Sequence, residues 1–325
     1  MGQFLSNCSV DSLNVAAHAL KDGFLVAFPT ETVYGLGADA TNELAVARIY
    51  KVKGRPSDHP LIVHIADLKY LEQWISEIPE YAINLARAFW PGPMTLILKR
   101  SALAKDFITG NQETVGIRIP DNSLALGLLE AFHKIGGAGI AAPSANRFGQ
   151  VSPTNASAVI EEIGDYLSDS DIVLDGGPSD VGLESTIIDC TLSAPRILRP
   201  GAITEVMIEA VTKIKVSENL DSYSSDLDIR VSGSIENHYA PKAKVILDQE
   251  PIAGTGYIAL ENTPTPAGVI RLAAPKSVEE FARSLYESMR EGDHQNLTAI
   301  YIEQPTGDGL AVAIRDRLSR SARGR

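Results

Sequence analysis

Apolar positions along this chain recur with two periods, and the switches between them mark out its elements. Leu13, Ala16, Ala17 and Leu20 fall on one face of a helix, and Gly23 is placed to end it. Phe24 to Phe28 then runs apolar without a break, a buried strand halted by Pro29. Leu44, Ala45, Val46, Ile49 and Tyr50 return to helical spacing behind Asn42, a residue suited to the N-cap. Short apolar runs predict further strands at 61–65, 95–99, 115–119, 139–142, 171–174, 186–189 and 196–198. Helices are predicted around 80–90, 123–134 and 154–163. Interleaved strands and helices of this kind make one mixed α/β domain with a sizeable sheet over residues 1–205.

The pattern breaks between 206 and 241. Residues 217–228 read SENLDSYSSDLD, acidic, serine-rich and poor in core residues, which predicts a mobile linker. Beyond Pro241 a smaller α/β unit is predicted over 242–325, with strands at 244–247, 257–260, 269–272 and 298–302. Ser277 with Glu280 three residues on is a capping-box start for a helix. A final helix is predicted over 309–323. Its Arg315, Arg317, Arg320 and Arg323 lie toward the end where the helix dipole favours cations.

A length of 325 residues and 44% hydrophobic content leave room for two packed cores. No apolar run approaches the roughly 18 residues of a membrane span, and no basic, then apolar, leader is visible. Cys8 and Cys190 are the two cysteines and form no C-x-x-C pair, so a reducing, cytoplasmic setting without a structural metal is expected. Net charge is −12; residues 1–205 hold 15 basic and 24 acidic side chains, leaving −9 there. Broad binding to a nucleic-acid backbone needs a cationic surplus that this chain lacks. Any contact with RNA would have to be local or brief. Arg48, Lys51, Lys53 and Arg55 make a local exception, four cations in eight residues with no acid between them. Such a run suits a solvated helix end or an anion site.

Four polar segments interrupt the strands. Residues 29–37, PTETVYGLG, leave a buried strand with two threonines, a tyrosine and glycines that permit close backbone approach. Residues 53–60, KGRPSDHP, hold Lys53 and Arg55 on a proline-stiffened turn, an arrangement that suits a polyanion. Residues 142–146, APSAN, present Ser144 and Asn146 beyond a strand, and Thr154 shortly after is a good N-cap. The fourth runs through Asp175-Gly176-Gly177 and Glu184-Ser185-Thr186 to Arg199 at a strand end. Singly, each is ambiguous: a Ser or Thr at a strand end reads first as turn or cap chemistry, and His64 in an apolar strand reads first as core. The P-loop and G-x-S-x-G signatures are absent, and His59 and His64 lack metal-ligand spacing.

Taken in order, PTETVYGLG, KGRP, PGPMTLIL at 91–98, GIRIP at 116–120, APSAN, LESTIID at 183–189 and ILRPG at 197–201 resemble the YrdC-like domain of threonylcarbamoyl-AMP synthases. Asn237-His238-Tyr239-Ala240-Pro241 resembles the linker signature of the family's long members. The resemblance implies a twisted mixed sheet with helices, joined to a smaller Rossmann-like C-terminal domain. It implies an enzyme joining L-threonine, bicarbonate or carbon dioxide, and ATP, with Mg2+ accompanying the nucleotide. A downstream threonylcarbamoyl transferase complex would then carry the product to tRNA. The competing expectation is a YrdC-type double-stranded RNA or tRNA binding module, which the −9 balance opposes. Transfer of a carbamoyl group from another donor, as in hydrogenase maturation, would need zinc-finger and acylphosphatase segments that this chain lacks.

By the same resemblance Lys53, Arg55, Ser144 and Asn146 form the catalytic K-x-R and S-x-N tetrad. Arg55, His59, Thr114, Ser144, Ser152, Arg199 and Tyr239 match ATP-contacting positions. Thr32, His64, Arg118 and Ser185 match threonine-contacting ones, with Arg118 expected on the substrate carboxylate. No protein side chain is assigned to a metal. Two departures stand out: His59 replaces an asparagine common in relatives, and residues 231–235 read VSGSI where relatives often carry Ser-Pro-Gly-Met.

Overall fold

The structure is a computed structural model and describes residues 2–6, 9–217, 229–231 and 239–323. Cys8, residues 218–228 of the predicted linker, and 232–238, which span most of the altered motif and Asn237-His238 of the linker signature, lie outside them. The chain opens with β1 (Gln3–Leu5), α1 (Val10–Lys21), β2 (Val26–Phe28), β3 (Gly35–Asp39), α2 (Glu43–Lys53) and β4 (Ile62–His64). It continues through α3 (Glu80–Phe89), β5 (Met94–Lys99), α4 (Asp106–Thr109), β6 (Thr114–Arg118), α5 (Ser123–Lys134) and β7 (Ile140–Ala141). Then follow α6 (Ala156–Ile163), β8 (Ile172–Leu174), β9 (Thr186–Asp189), β10 (Arg196–Arg199) and α7 (Glu205–Thr212). A second unit contains β11 (Lys244–Leu247), β12 (Gly256–Ile258), β13 (Ile270–Ala273), α8 (Val278–His294), β14 (Ala299–Ile302) and α9 (Leu310–Arg323).

The first ten strands form one twisted mixed sheet in the order β1-β8-β2-β3-β7-β4-β6-β5-β9-β10. Alternate residues of β2 show how it is covered on both faces. Val26 and Phe28 pack with Ala16, Leu20, Leu128 and Phe132 of α1 and α5. Leu25 and Ala27 share a second cluster with Val46 and Ile49 of α2, Leu85 of α3 and Val159 of α6. Period-2 alternation thus sends one strand into two cores. The smaller sheet is parallel throughout, in the order β11-β14-β12-β13.

Several expectations change in detail. Residues 35–37 were grouped with a loop, yet Gly35–Asp39 is an inner strand, antiparallel to β2 and β7. A Cβ on Gly37 would lie 2.7 Å from Ile140 and 2.9 Å from the Phe28 ring, so the glycine that weakens strand propensity is what lets this strand fit. The N-cap of α6 is Asn155, which accepts from the Ala158 amide at 2.8 Å, and not Thr154. The segment read as irregular from 206 opens with α7, capped by Thr204, and Ile208 is buried in the core of the first unit. Arg317 is fully buried, so it does not serve as a solvent-facing partner of the α9 dipole.

Candidate active site

The strand ends and loops of the first sheet surround a cleft of about 610 Å³, its open mouth included. Thr32, Lys53, Arg55, His64, Arg118, Ser144, Ser185, Arg199 and Tyr239 all line it, drawn from residues up to 207 positions apart. Each wall has a local physical cause.

Helix α2 begins at Asn42, whose side chain accepts from the Ala45 amide, and stops at Gly54, in the left-handed conformation at φ 62°. That stop fixes Lys53 at the helix end. Its Nζ donates to the carbonyls of Ser144 and Asn146, both at 2.6 Å. Lys53 therefore staples the K-x-R turn to the S-x-N turn. Burial, then the neighbouring charge of Arg55, push its pKa well below the usual lysine value. Arg55, half-buried, donates to the Pro60 carbonyl at 2.8 Å. Burial moves it down to about 10, which leaves it charged at neutral pH.

The Asn146 amide nitrogen donates to the carbonyls of Arg147 and Gln150, both at 2.8 Å. Its buried Oδ1 has no partner among the described residues.

On the sheet, the β4–β6 register sets His64 beside Arg118. Arg118 donates from one guanidinium nitrogen to Glu31 Oε1 at 2.7 Å and Thr32 Oγ1 at 2.8 Å. The Thr30 hydroxyl donates to the Val33 carbonyl at 2.6 Å, so in the 2.8 Å Thr30–Thr32 contact the Thr32 hydroxyl is the donor. His64 is buried, edge-on to Phe28 at 6.0 Å, and its Nδ1 lacks a partner among the described residues. Burial, followed by Arg118, depresses its pKa to about 3, so the ring is neutral at physiological pH. Glu31 Oε2 and Arg118 Nε are likewise buried without a partner among the described residues.

A third group hangs on β9 and β10. Arg199 donates to the Ser185 carbonyl at 2.9 and 3.1 Å and to its hydroxyl at 3.1 Å, while that hydroxyl lies 2.8 Å from Thr95 Oγ1. Burial lowers the Arg199 pKa.

Four expected residues stand off the cleft. His59 packs against Phe148, which lines it, with ring centroids 5.5 Å apart. Thr114 faces an adjoining groove that shares Ile62 with the cleft. Asn146 lies behind the Lys53 staple. Ser152 is fully buried and donates to Glu184 Oε1 at 2.6 Å. In turn the cleft includes Glu184 and is braced by Glu31, both within the polar segments but neither given a role from sequence. An acid inside PTETVYGLG and another heading LESTIID, each on an otherwise apolar approach, were the available signals.

Buried cations and ordered hydroxyls converge on the strand ends of a mixed α/β sheet, in a domain of the YrdC type. Residues 18–201 match the family described as Telomere recombination, and residues 203–323 match the Threonylcarbamoyl-AMP synthase, C-terminal domain. The Threonylcarbamoyl-AMP synthase of Pyrococcus abyssi (strain GE5 / Orsay) is 39% identical over 326 residues, 95% of this chain and 94% of that protein. That of Bacillus subtilis (strain 168) is 41% identical over 331 residues, covering 95% and 92%. The crystal structure of P. abyssi Sua5 complexed with L-threonine matches with a TM-score of 0.86 at 36% identity, covering 99% of this chain and 97% of that one. The chain belongs to the threonylcarbamoyl-AMP synthase family, in its long two-domain form.

Proposed function

We propose that this chain is a nucleotidyltransferase that converts L-threonine, bicarbonate or carbon dioxide, and ATP into threonylcarbamoyl-AMP and pyrophosphate. The product would supply a transferase complex that modifies the adenosine next to the tRNA anticodon. The observation that carries this reading is the convergence of Lys53, Arg55, Arg118 and Arg199 on one cleft of a chain whose net charge is −12. Fixed cations held off bulk water suit a reaction in which several anions must meet.

In the chemistry, a carbamate oxygen of N-carboxy-threonine bonds to the α-phosphorus as the bond to the bridging oxygen of pyrophosphate breaks. The chain's share is charge and position, and no covalent nucleophile is required. Arg55 and Arg199 are assigned to the phosphates and bicarbonate, with Lys53 holding their loops and adding its field. Arg118 is assigned to the threonine carboxylate, Thr32 and Ser185 to its polar groups. Glu31 Oε2 is a buried acceptor for an ammonium or hydroxyl. Neutral His64 can donate or accept a hydrogen bond without adding charge.

Mg2+ would enter on the ATP phosphates and screen their charge. No group of three or more His, Cys, Asp or Glu able to hold a metal occurs among the described residues. Glu31 and Glu184 are each paired with an arginine. Asn146 Oδ1 is a buried oxygen without a partner among the described residues, but it lies behind the Lys53 staple and off the cleft, so no side chain is assigned to the cation.

The test is pyrophosphate release from ATP by the purified chain. Release should require both threonine and bicarbonate, with threonylcarbamoyl-AMP appearing in equal amount. Release that ignores either co-substrate would remove the reading. No helix of the described residues is long and apolar enough to cross a membrane.

A further inference from the structure

The cleft is not built by the first unit alone. Arg317, on α9 of the second unit, is fully buried and donates from Nε to Glu184 Oε2 at 2.9 Å. Its Nη2 reaches the carbonyls of Pro200 at 3.0 Å and Glu184 at 3.4 Å. The Tyr286 hydroxyl, on α8, donates to Glu184 Oε2 at 3.0 Å. With Ser152 on Oε1, three donors converge on one carboxylate in the cleft wall, and two of them come from the second unit.

The same side chains handle Tyr239. Its ring stacks on Tyr286 at 5.8 Å, and the Arg317 guanidinium lies 5.4 Å from its centroid. The Ser321 hydroxyl donates to its carbonyl at 2.8 Å.

Attachment of one unit to the other does not require this arrangement. Leu183, Val33 and Val151 of the first unit already pack among Phe281, Leu285 and Met289 of the second. A buried ion pair adds little net stability over apolar residues of the same volume. What it adds is orientation, because a carboxylate with three donors has one arrangement that satisfies them all.

We propose that Arg317 and Tyr286 are positioning residues for adenylate formation. From the second unit they orient the Glu184 carboxylate, and through it Ser152 and the 184–186 turn against which Arg199 is braced. The inference rests on the cleft being the site of the ATP reaction proposed above.

The experiment compares wild type, Arg317→Met, Tyr286→Phe and the double variant Glu184→Gln/Arg317→Met, measuring the Michaelis constant for ATP and the dissociation constant of L-threonine. Arg317→Met should raise the ATP constant at least tenfold and the threonine constant no more than threefold. The double variant, which removes the stranded carboxylate but restores no donor from α9, should recover only in part, and a full return to wild type would assign the defect to an unpaired charge and overturn the positioning role. Tyr286→Phe should raise the ATP constant about three- to tenfold, and it carries the test if Arg317→Met fails to fold. An unchanged ATP constant in Tyr286→Phe or in folded Arg317→Met overturns the proposal, as does equal weakening of both ligands. Wild type separates the two readings: if it makes the adenylate while these variants match it, only the positioning role is lost.

Discussion

Lys53 and Arg55 stand two residues apart in sequence and have different duties. Lys53 spends its hydrogen bonds on two carbonyls, whereas Arg55 sits half-buried at the cleft and donates to the Pro60 carbonyl. Removing Arg55 should leave the fold intact. A charge-assisted hydrogen bond is worth about 1.5–3 kcal/mol, so Arg55→Ala should lower turnover roughly ten- to a hundredfold. Near-normal pyrophosphate release by folded Arg55→Ala would remove it from the mechanism. His64 gives a second expectation, in stability. Its pKa is about 3 in the fold against 6.5 for a free imidazole, so below pH 6.5 the unfolded chain gains a proton that the native chain refuses. Stability is lost as pH falls from about 6.5 toward 3. Between pH 7 and 5 the loss from this group is about 2 kcal/mol. His64→Gln should shrink the drop in unfolding free energy over that interval by a like amount, and an equal drop in both proteins would show that His64 is not held neutral. These roles were only partly legible. Motif matches named Lys53, Arg55, Arg118 and His64, but Lys53 as a staple and Ser152 as a partner of Glu184 depend on contacts 91 and 32 residues apart. Residue type and spacing do not carry such pairings.

Among elements, α2 and α8 followed from period and caps, since Asn42 and Ser277 both cap as their type suggests. Strand β3 did not, because its glycines answer to neighbours brought from position 140 and not to local propensity. Gly182 is a second glycine whose reason is tertiary. It has φ 79°, and a Cβ there would lie 2.5 Å from the Arg283 Cα and 2.7 Å from the Ala282 carbonyl oxygen on α8. Both obstacles are backbone, and Arg283 Nε clamps the same loop by donating to the Asp180 carbonyl at 2.8 Å. Gly182→Ala should therefore push α8 off the loop leading to Glu184. A left-handed conformation costs a residue with a Cβ about 1–2 kcal/mol, before the clash is counted. The expected result is a melting temperature lowered by several degrees and a raised Michaelis constant for ATP. An unperturbed protein would mean that the two units yield easily at this contact.

At the scale of the molecule, the two sheets are separate but the cores are not. Val33, Val151 and Leu183 belong to the first unit in sequence and to the second unit's core in space. Arg290 adds a further crossing, pairing with Glu162 at 2.7 Å. Units interlocked in this way should unfold together. The test uses a convenience of the sequence: both tryptophans, Trp74 and Trp90, lie in the first unit and are buried there. Tryptophan fluorescence reports on that unit, while far-ultraviolet circular dichroism reports on both. The two melting curves should coincide, and a separate later or earlier dichroism step would show that the units are independent.

The bond between Glu184 and Arg317 also sets a clock on synthesis. The two residues are 133 positions apart. At about 5–20 residues per second, roughly 7–27 s pass between the making of the carboxylate and the making of its partner. Throughout that interval the nascent first unit holds an acid at its cleft whose Arg317 partner does not yet exist. A message cut short between codons 199 and 317 yields a chain with the entire K-x-R and S-x-N apparatus and an unfinished wall.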